Sequence, residues 1–180
     1  MMMDATSRFR MRGVTLIELM VSLIVLAILI GIGVPSFQSI MQRDRVTDAT
    51  NDLLMALQLA RSDAVRLRTK ATVCASNDDQ TSCYEEEDKP PWSYGWLLII
   101  DDELTRIGAI IGDGVTIGTT PALIASIEFE ADGSASIIDF SDKDLGVGNF
   151  EIDSAAKEPR CIRILKSGFV SMEKMACPTD

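Results

Sequence analysis

The sequence predicts an α+β fold, one long N-terminal helix followed by antiparallel strands, and three observations predict it. Residues 14–34 form a predominantly apolar stretch of 21 in which Glu18 is the sole ionisable side chain. Beyond Pro35 apolar residues recur at helical spacing, and beyond residue 69 the recurring unit becomes a short apolar or alternating run closed by Gly, Asp or Ser. Strands gathered after a single long helix are the pattern of an α+β domain with antiparallel pairing.

As a helix, 14–34 would be about 30 Å long at about 1.5 Å per residue, the hydrocarbon thickness of a bilayer. Arg8, Arg10 and Arg12 precede it against a single Asp4, so the N-terminal side is expected to stay cytoplasmic. A secretory signal peptide has a shorter apolar core, roughly 7–15 residues, and Gly31-Ile32-Gly33-Val34-Pro35 is a poor A-x-A site. The stretch therefore reads as a membrane anchor. A carboxylate within it is costly, so Glu18 is expected to meet a specific partner charge rather than to be a tolerated polar bystander.

At these residues the sequence resembles the type IV pilin and pseudopilin family. Gly13 stands at the cleavage position, Val14 at the new N-terminus and Glu18 at the fifth mature position, within the run TLIELMV and ahead of Pro35. The resemblance implies removal of the leader 1–13 by a prepilin peptidase and N-methylation of Val14. It also implies pairing of Glu18 with the α-amino group of a neighbouring subunit, which sets the axial register of a filament. A carboxylate and an ammonium that meet in hydrocarbon satisfy each other, whereas either alone does not. Val14 departs from the family's usual Phe. The implied partners are other minor pilins and a major pilin, or pseudopilins, with an inner-membrane assembly platform. The implied location is a single pass of the inner membrane, C-terminal domain in the periplasm, and then the pilus or pseudopilus.

Composition fits an exported module. Without the leader 167 residues remain, enough for one core plus a long helix. The full chain carries −10, and because the leader is net +2 the mature chain carries −12 by side chains. Such a charge disfavours nonspecific attraction to DNA or anionic lipid. Four Cys in an exported chain suggest two disulfides, with three possible connectivities.

Over 36–68 the apolar residues Val46, Ala49, Leu53, Leu57, Ala60, Ala64 and Leu67 fall three or four apart and make one helical stripe. Arg43, Asp44, Arg45, Asp48, Asp52, Arg61, Asp63, Arg66 and Arg68 lie beside it. One helix, bent or loosened at Pro35, is expected from residue 14 to about 68. Its transmembrane half is 14–35 and its amphipathic half 36–68, the latter packed on a globular domain over 69–180. Core packing, not a coiled coil or a cofactor box, is the reading of the stripe. The series Asp44, Asp48, Asp52 reads as a solvated face or a contact for basic residues of a neighbour.

Strands are expected at 70–75, 96–100, 107–111 and 115–117, then at 127–130 and 135–140 around the turn Asp132-Gly133, and at 161–165 and 169–172 around Lys166-Ser167-Gly168. Asp101, Asp102 and Glu103 are expected to end a strand. Trp92, Tyr94 and Trp96 are expected to pack on a sheet. The segments LQLARSDAV, TVCAS, YGWLLIID, IEFEADGSA and CIRILKSGFVSM occur in an order that resembles the GspH/FimT group, which holds the minor pilins FimT and FimU and the minor pseudopilin GspH. That resemblance implies a small β-sandwich laid against the helix; periodicity alone yields only helix plus strands.

Cys74 and Cys83 enclose a short polar stretch and are expected to pair, which leaves Cys161 with Cys177; a zinc site lacks both CxxC spacing and His. The acidic run 85–88 lacks the spaced ligands and turn glycine of a calcium loop and reads as solvated. No metal or other cofactor is expected. The chain has no His, no phosphate-cradling loop and no dinucleotide fingerprint, so no enzyme is expected.

The expected role is that of a FimU-like minor pilin at a pilus tip or priming complex, assisting assembly, twitching or adhesion. A GspH-like pseudopilin of a type II secretion system is the alternative, and a FimT-like DNA-binding minor pilin is another. For the last, the resemblance asks for an Arg-bearing GRxR motif near the C-terminus. Here the hairpin reads Gly168-Phe169-Val170-Ser171. Arg160, Arg163, Lys166 and Lys174 supply positive charge nearby, which reads as surface balance or a subunit contact, and nucleic acid is not an expected partner.

Overall fold

The computed structural model describes residues 14–85, 92–108, 114–120, 124–139, 144–154 and 158–178, without the side chains of 32–36 and 93. One helix, α1 (Leu16–Leu67), runs unbroken through position 35. It ends where Arg68 takes a left-handed conformation (φ 55°) and the Thr69 amide donates to the Ala64 carbonyl at 3.2 Å, which satisfies one of the orphan carbonyls of the last turn. By contact density the chain divides into Met1–Gln38 and Ser39–Asp180.

Among the described residues of the second unit nine strands follow α1: β1 (Ala71–Ala75), β2 (Trp96–Ile100), β3 (Glu103–Ile107), β4 (Val115–Thr120), β5 (Ser126–Phe129), β6 (Ala135–Ile138), β7 (Val147–Ser154), β8 (Arg160–Leu165) and β9 (Val170–Glu173). They form two antiparallel sheets, ordered β3-β2-β1-β5-β6 and β4-β7-β8-β9. The α+β architecture of helix on antiparallel sheets holds.

The period of two along each strand decides what is buried. Val73, Ala75, Leu98, Ile127, Phe129 and Ile137 of the first sheet share one cluster with Phe150, Ile152, Ile162 and Ile164 of the second and with Leu53, Leu57, Ala60 and Ala64 of α1. Cys74, Leu97 and Cys161 alternate with these and so take the opposite faces, yet they too are buried. The sheets approach closely where β7 faces β6: a Cβ on Gly148 would sit 3.0 Å from Ile124 and 3.1 Å from Ile137. Trp92 meets Phe150 edge-on at 4.7 Å and donates from Nε1 to the Ile124 carbonyl at 3.1 Å, so its polar tip is satisfied inside the core.

Several expectations need correction. Leu67, last of the apolar stripe and last residue of α1, is 48% exposed, while Thr50 and Ala56, outside the stripe, are buried. Asp101 and Asp102 do follow the end of a strand and are exposed, whereas Glu103 opens the next one. The two Asp residues form the turn between β2 and β3, with φ of 51° and 60°, the paired left-handed geometry of a two-residue hairpin that Asp tolerates. The next strand is therefore Glu103–Ile107, not 107–111, and 109–111 lies outside the described residues. Trp92 and Trp96 pack into the core as expected, Trp92 from a single 3-10 turn, but Tyr94 in that same turn is exposed. β7, the longest strand among the described residues, has no counterpart among the strands expected from the sequence. The acidic positions 86–88 lie outside the described residues.

Candidate assembly site at the start of the helix

The first turn of α1 carries its own cap. Thr15 Oγ1 accepts from the Glu18 amide at 3.3 Å, and the Thr15 carbonyl accepts from the Leu19 amide at 3.1 Å. Thr15 is thus the N-cap and Glu18 the third helical residue, the spacing of a capping box. The spacing Thr15-Leu16-Ile17-Glu18 carries that signal in the sequence itself. A carboxylate in the first turn also faces the positive end of the helix dipole. Ser22 Oγ donates to the Glu18 carbonyl at 2.7 Å.

Around this carboxylate the helix is apolar on every side. Each large apolar side chain of α1 between positions 16 and 30 is at least half exposed, from Leu16 at 76% to Val25 at 50%. A helix that is hydrophobic all round is stable only in an apolar surround. Among the described residues no helix is long and apolar enough to cross a membrane; the side chains of 32–36, which include the end of the apolar stretch, are outside that set. Val14 is exposed, and Gly13 lies outside the described residues.

The structure joins Cys74 to Cys83, Cα atoms 5.6 Å apart, and Cys161 to Cys177 at 5.0 Å, with no free cysteine. Each bond lies on the face of its sheet away from the shared core. The second holds down the C-terminal tail, where the Cys177 amide donates to Glu151 Oε2 at 2.8 Å. No metal-holding cluster occurs among the described residues. Of the acidic series, Asp44 and Asp48 are exposed, but Asp52 accepts from Trp96 Nε1 at 2.9 Å. That corrects the reading of Asp52 as part of a purely solvated face: its partner lies 44 positions away on β2.

The basic residues near the C-terminus are divided. Arg160 Nη2 donates to Thr47 Oγ1 at 2.8 Å, and Lys166 Nζ pairs with Asp144 Oδ2 at 2.8 Å. Arg163 and Lys174 are exposed. The Lys166 hydrogen bond, with smaller help from the Gly146 and Ile137 amides, holds the Asp144 carboxyl below its ordinary range against the opposing effect of burial.

An apolar helix start with one carboxylate in its first turn, continued by the same helix into the core of a two-sheet α+β domain, defines a type IV pilin or pseudopilin. The family model of the prokaryotic N-terminal methylation motif matches residues 8–34, and that of the type II transport protein GspH matches 49–168. The chain belongs to the GspH family, within the GspH/FimT group of type IV pilins and pseudopilins. The type IV minor pilin FimU of Pseudomonas aeruginosa is represented by two similar crystal structures, the first of which shares the fold of this chain. The first, in space group P21, has a TM-score of 0.52 at 18% identity, over 74% of this chain and 92% of that one. The other, in space group P65, has a TM-score of 0.48 at 20% identity, over 71% and 91%. No curated protein sequence matches the chain. Family and fold are those of structural pilin subunits of the type IV pilus or type II secretion kind, which assemble with other pilins and are processed by a prepilin peptidase.

Proposed function

We propose that this chain is a minor type IV pilin, a structural subunit of the pilus tip or priming complex that supports assembly and with it twitching or adhesion. The observation that carries the reading is the exposed apolar start of α1 with Glu18 in its first turn. Left in water, that surface would cost on the order of 25 cal/mol per Å²; a bilayer first, and then neighbouring helices of the same kind, remove the cost. In this account the peptidase cuts between Gly13 and Val14, Val14 is N-methylated, and residues 14–35 hold the subunit in the inner membrane as a single pass. Residues 36–68 are the amphipathic half, and 69–180 form the domain held in the periplasm until incorporation. Glu18 then meets the α-amino group of a neighbour and sets register. The fold likeness to FimU supports the pilus side of the family.

The matched family's description as a type II transport protein favours a second reading, a GspH-like pseudopilin of a secretion system. The two readings share the same helix physics and differ in partners. Full-length chain in detergent, used to capture minor pilins and pseudopilins side by side, tests them. Capture of pilus minor pilins, with no salt-sensitive affinity for labelled double-stranded DNA, supports the tip reading. Preference for pseudopilins overturns it in favour of secretion. DNA affinity that falls steeply with salt would indicate a FimT-like role, against which stand the mature charge of −12 and the missing Arg motif.

A further inference from the structure

Among the described residues of the second unit, side-chain hydrogen bonds of Arg160, Trp96 and Arg61 tie α1 to the sheets, and those of Arg61 differ in kind. The Arg160–Thr47 bond ties α1 to the four-stranded sheet and the Trp96–Asp52 bond ties it to the five-stranded one. Arg61 reaches both. Its Nε donates to the Gly133 carbonyl at 3.0 Å, in the β5–β6 turn, and its Nη2 donates to the Ser167 carbonyl at 3.1 Å, in the β8–β9 turn. Those turns touch: a Cβ on Gly168 would overlap the Gly133 carbonyl, and the Ala135 amide donates to the Lys166 carbonyl at 2.9 Å. Helix and both sheets therefore meet at one guanidinium. Its planar fork of donors can serve two carbonyls at once in a fixed geometry, which a single ammonium on a flexible stem cannot hold.

We infer that Arg61 is a force-sharing clamp, the residue at which tension arriving along α1 passes into both sheets together. The inference rests on the filament reading above, because only a subunit anchored through its N-terminal helix carries such tension. Any pull from residues before Ser39 enters the second unit through α1, by chain connectivity alone. The apolar stripe resists by burial, which is non-directional. The hydrogen bonds from a charged donor are directional and stronger than neutral ones. With Arg61 in place, both hairpin turns must yield at once. Without it, the Arg160–Thr47 and Trp96–Asp52 bonds each tie α1 to a single sheet.

Single-molecule pulling of the full-length chain in detergent micelles tests this in two geometries that share a C-terminal handle. With the second handle at Gln38 the load runs through α1, and with it at Arg68 the load bypasses the helix. Arg61→Met is expected to lower the unfolding force and raise the unfolding rate about tenfold in the Gln38 geometry, and to leave the Arg68 geometry unchanged. Arg61→Lys keeps the charge and one donor group, and is expected to fall between wild type and Met in the same geometry. It also serves if the Met variant does not fold. Equal loss in both geometries makes Arg61 an ordinary stabilising contact and overturns the inference, as does no loss in either. Pulling reads the isolated chain, so failure of the filament reading, seen in the capture experiment, is separable from failure of the clamp.

Discussion

Gly168 adopts φ of +72° at the β8–β9 turn, and its missing side chain leaves room for the Gly133 carbonyl and for Arg61. Gly168→Ala meets both a left-handed backbone and a backbone clash that no rotamer relieves, so a loss of about 3 kcal/mol is expected by urea denaturation. Asp144 makes the second residue-scale case. Its carboxyl is pulled below the ordinary value of 3.8, first by the Lys166 hydrogen bond. A depressed folded pKa contributes stability that is present above the unfolded value and is lost as pH falls through the lowered one. Wild type should therefore lose stability on acidification below about pH 4 more steeply than Asp144→Asn; parallel curves would remove Asp144 from that account. Residue roles were unequally legible. Glu18 stood out because a carboxylate in an apolar run is conspicuous on its own. Asp52 did not, since its partner Trp96 is adjacent only after β2 packs beside α1.

At the scale of elements, the helix was the most legible because its signal is local and long. Val46, Leu53, Leu57, Ala60 and Ala64 are buried where their spacing put them. Ala60 and Ala64, both fully buried, are small enough to let the sheets approach the helix closely. Leu57 lies at the centre of that contact with no exposed surface, and Leu57→Ala is expected to cost about 3 kcal/mol by the same denaturation assay, through lost burial plus a cavity. A loss under about 1 kcal/mol would mean that the stripe does not face a packed core. Strands were harder. β7 reads Val147-Gly148-Asn149-Phe150-Glu151-Ile152-Asp153-Ser154, and its inward positions hold one glycine and only two large apolar residues. Gly148 is small for a packing reason, the approach of Ile124 and Ile137, which no periodicity reveals. β3 is exposed along its whole length as an edge strand, so burial left no apolar imprint on it.

For the molecule as a whole, periodicity yields a helix and strands, but the pairing of those strands into two sheets around one core is a non-local property. Only the likeness to the GspH/FimT group supplied it in advance. The disulfides follow the same division. Export and an even Cys count foretell two bonds, while their placement on the outer faces of the sheets depends on the alternation that sends Val73 and Ile162 inward. The candidate assembly site is the opposite case, a contiguous segment whose meaning is written in 20-odd residues, because in the function proposed above it acts on lipid and on neighbours rather than on the rest of its own chain.

The central claim is that this apolar helix start, with Glu18, builds the subunit into a filament. The most direct measurement is detection of the full-length chain, wild type and Glu18→Ala, in filaments sheared from cells, with mass spectrometry of the mature N-terminus in both filament and membrane fractions. The account predicts that wild type appears in filaments beginning at a methylated Val14, and that Glu18→Ala is cut at the same bond but stays with the membrane. Incorporation of Glu18→Ala at the wild-type level would contradict it.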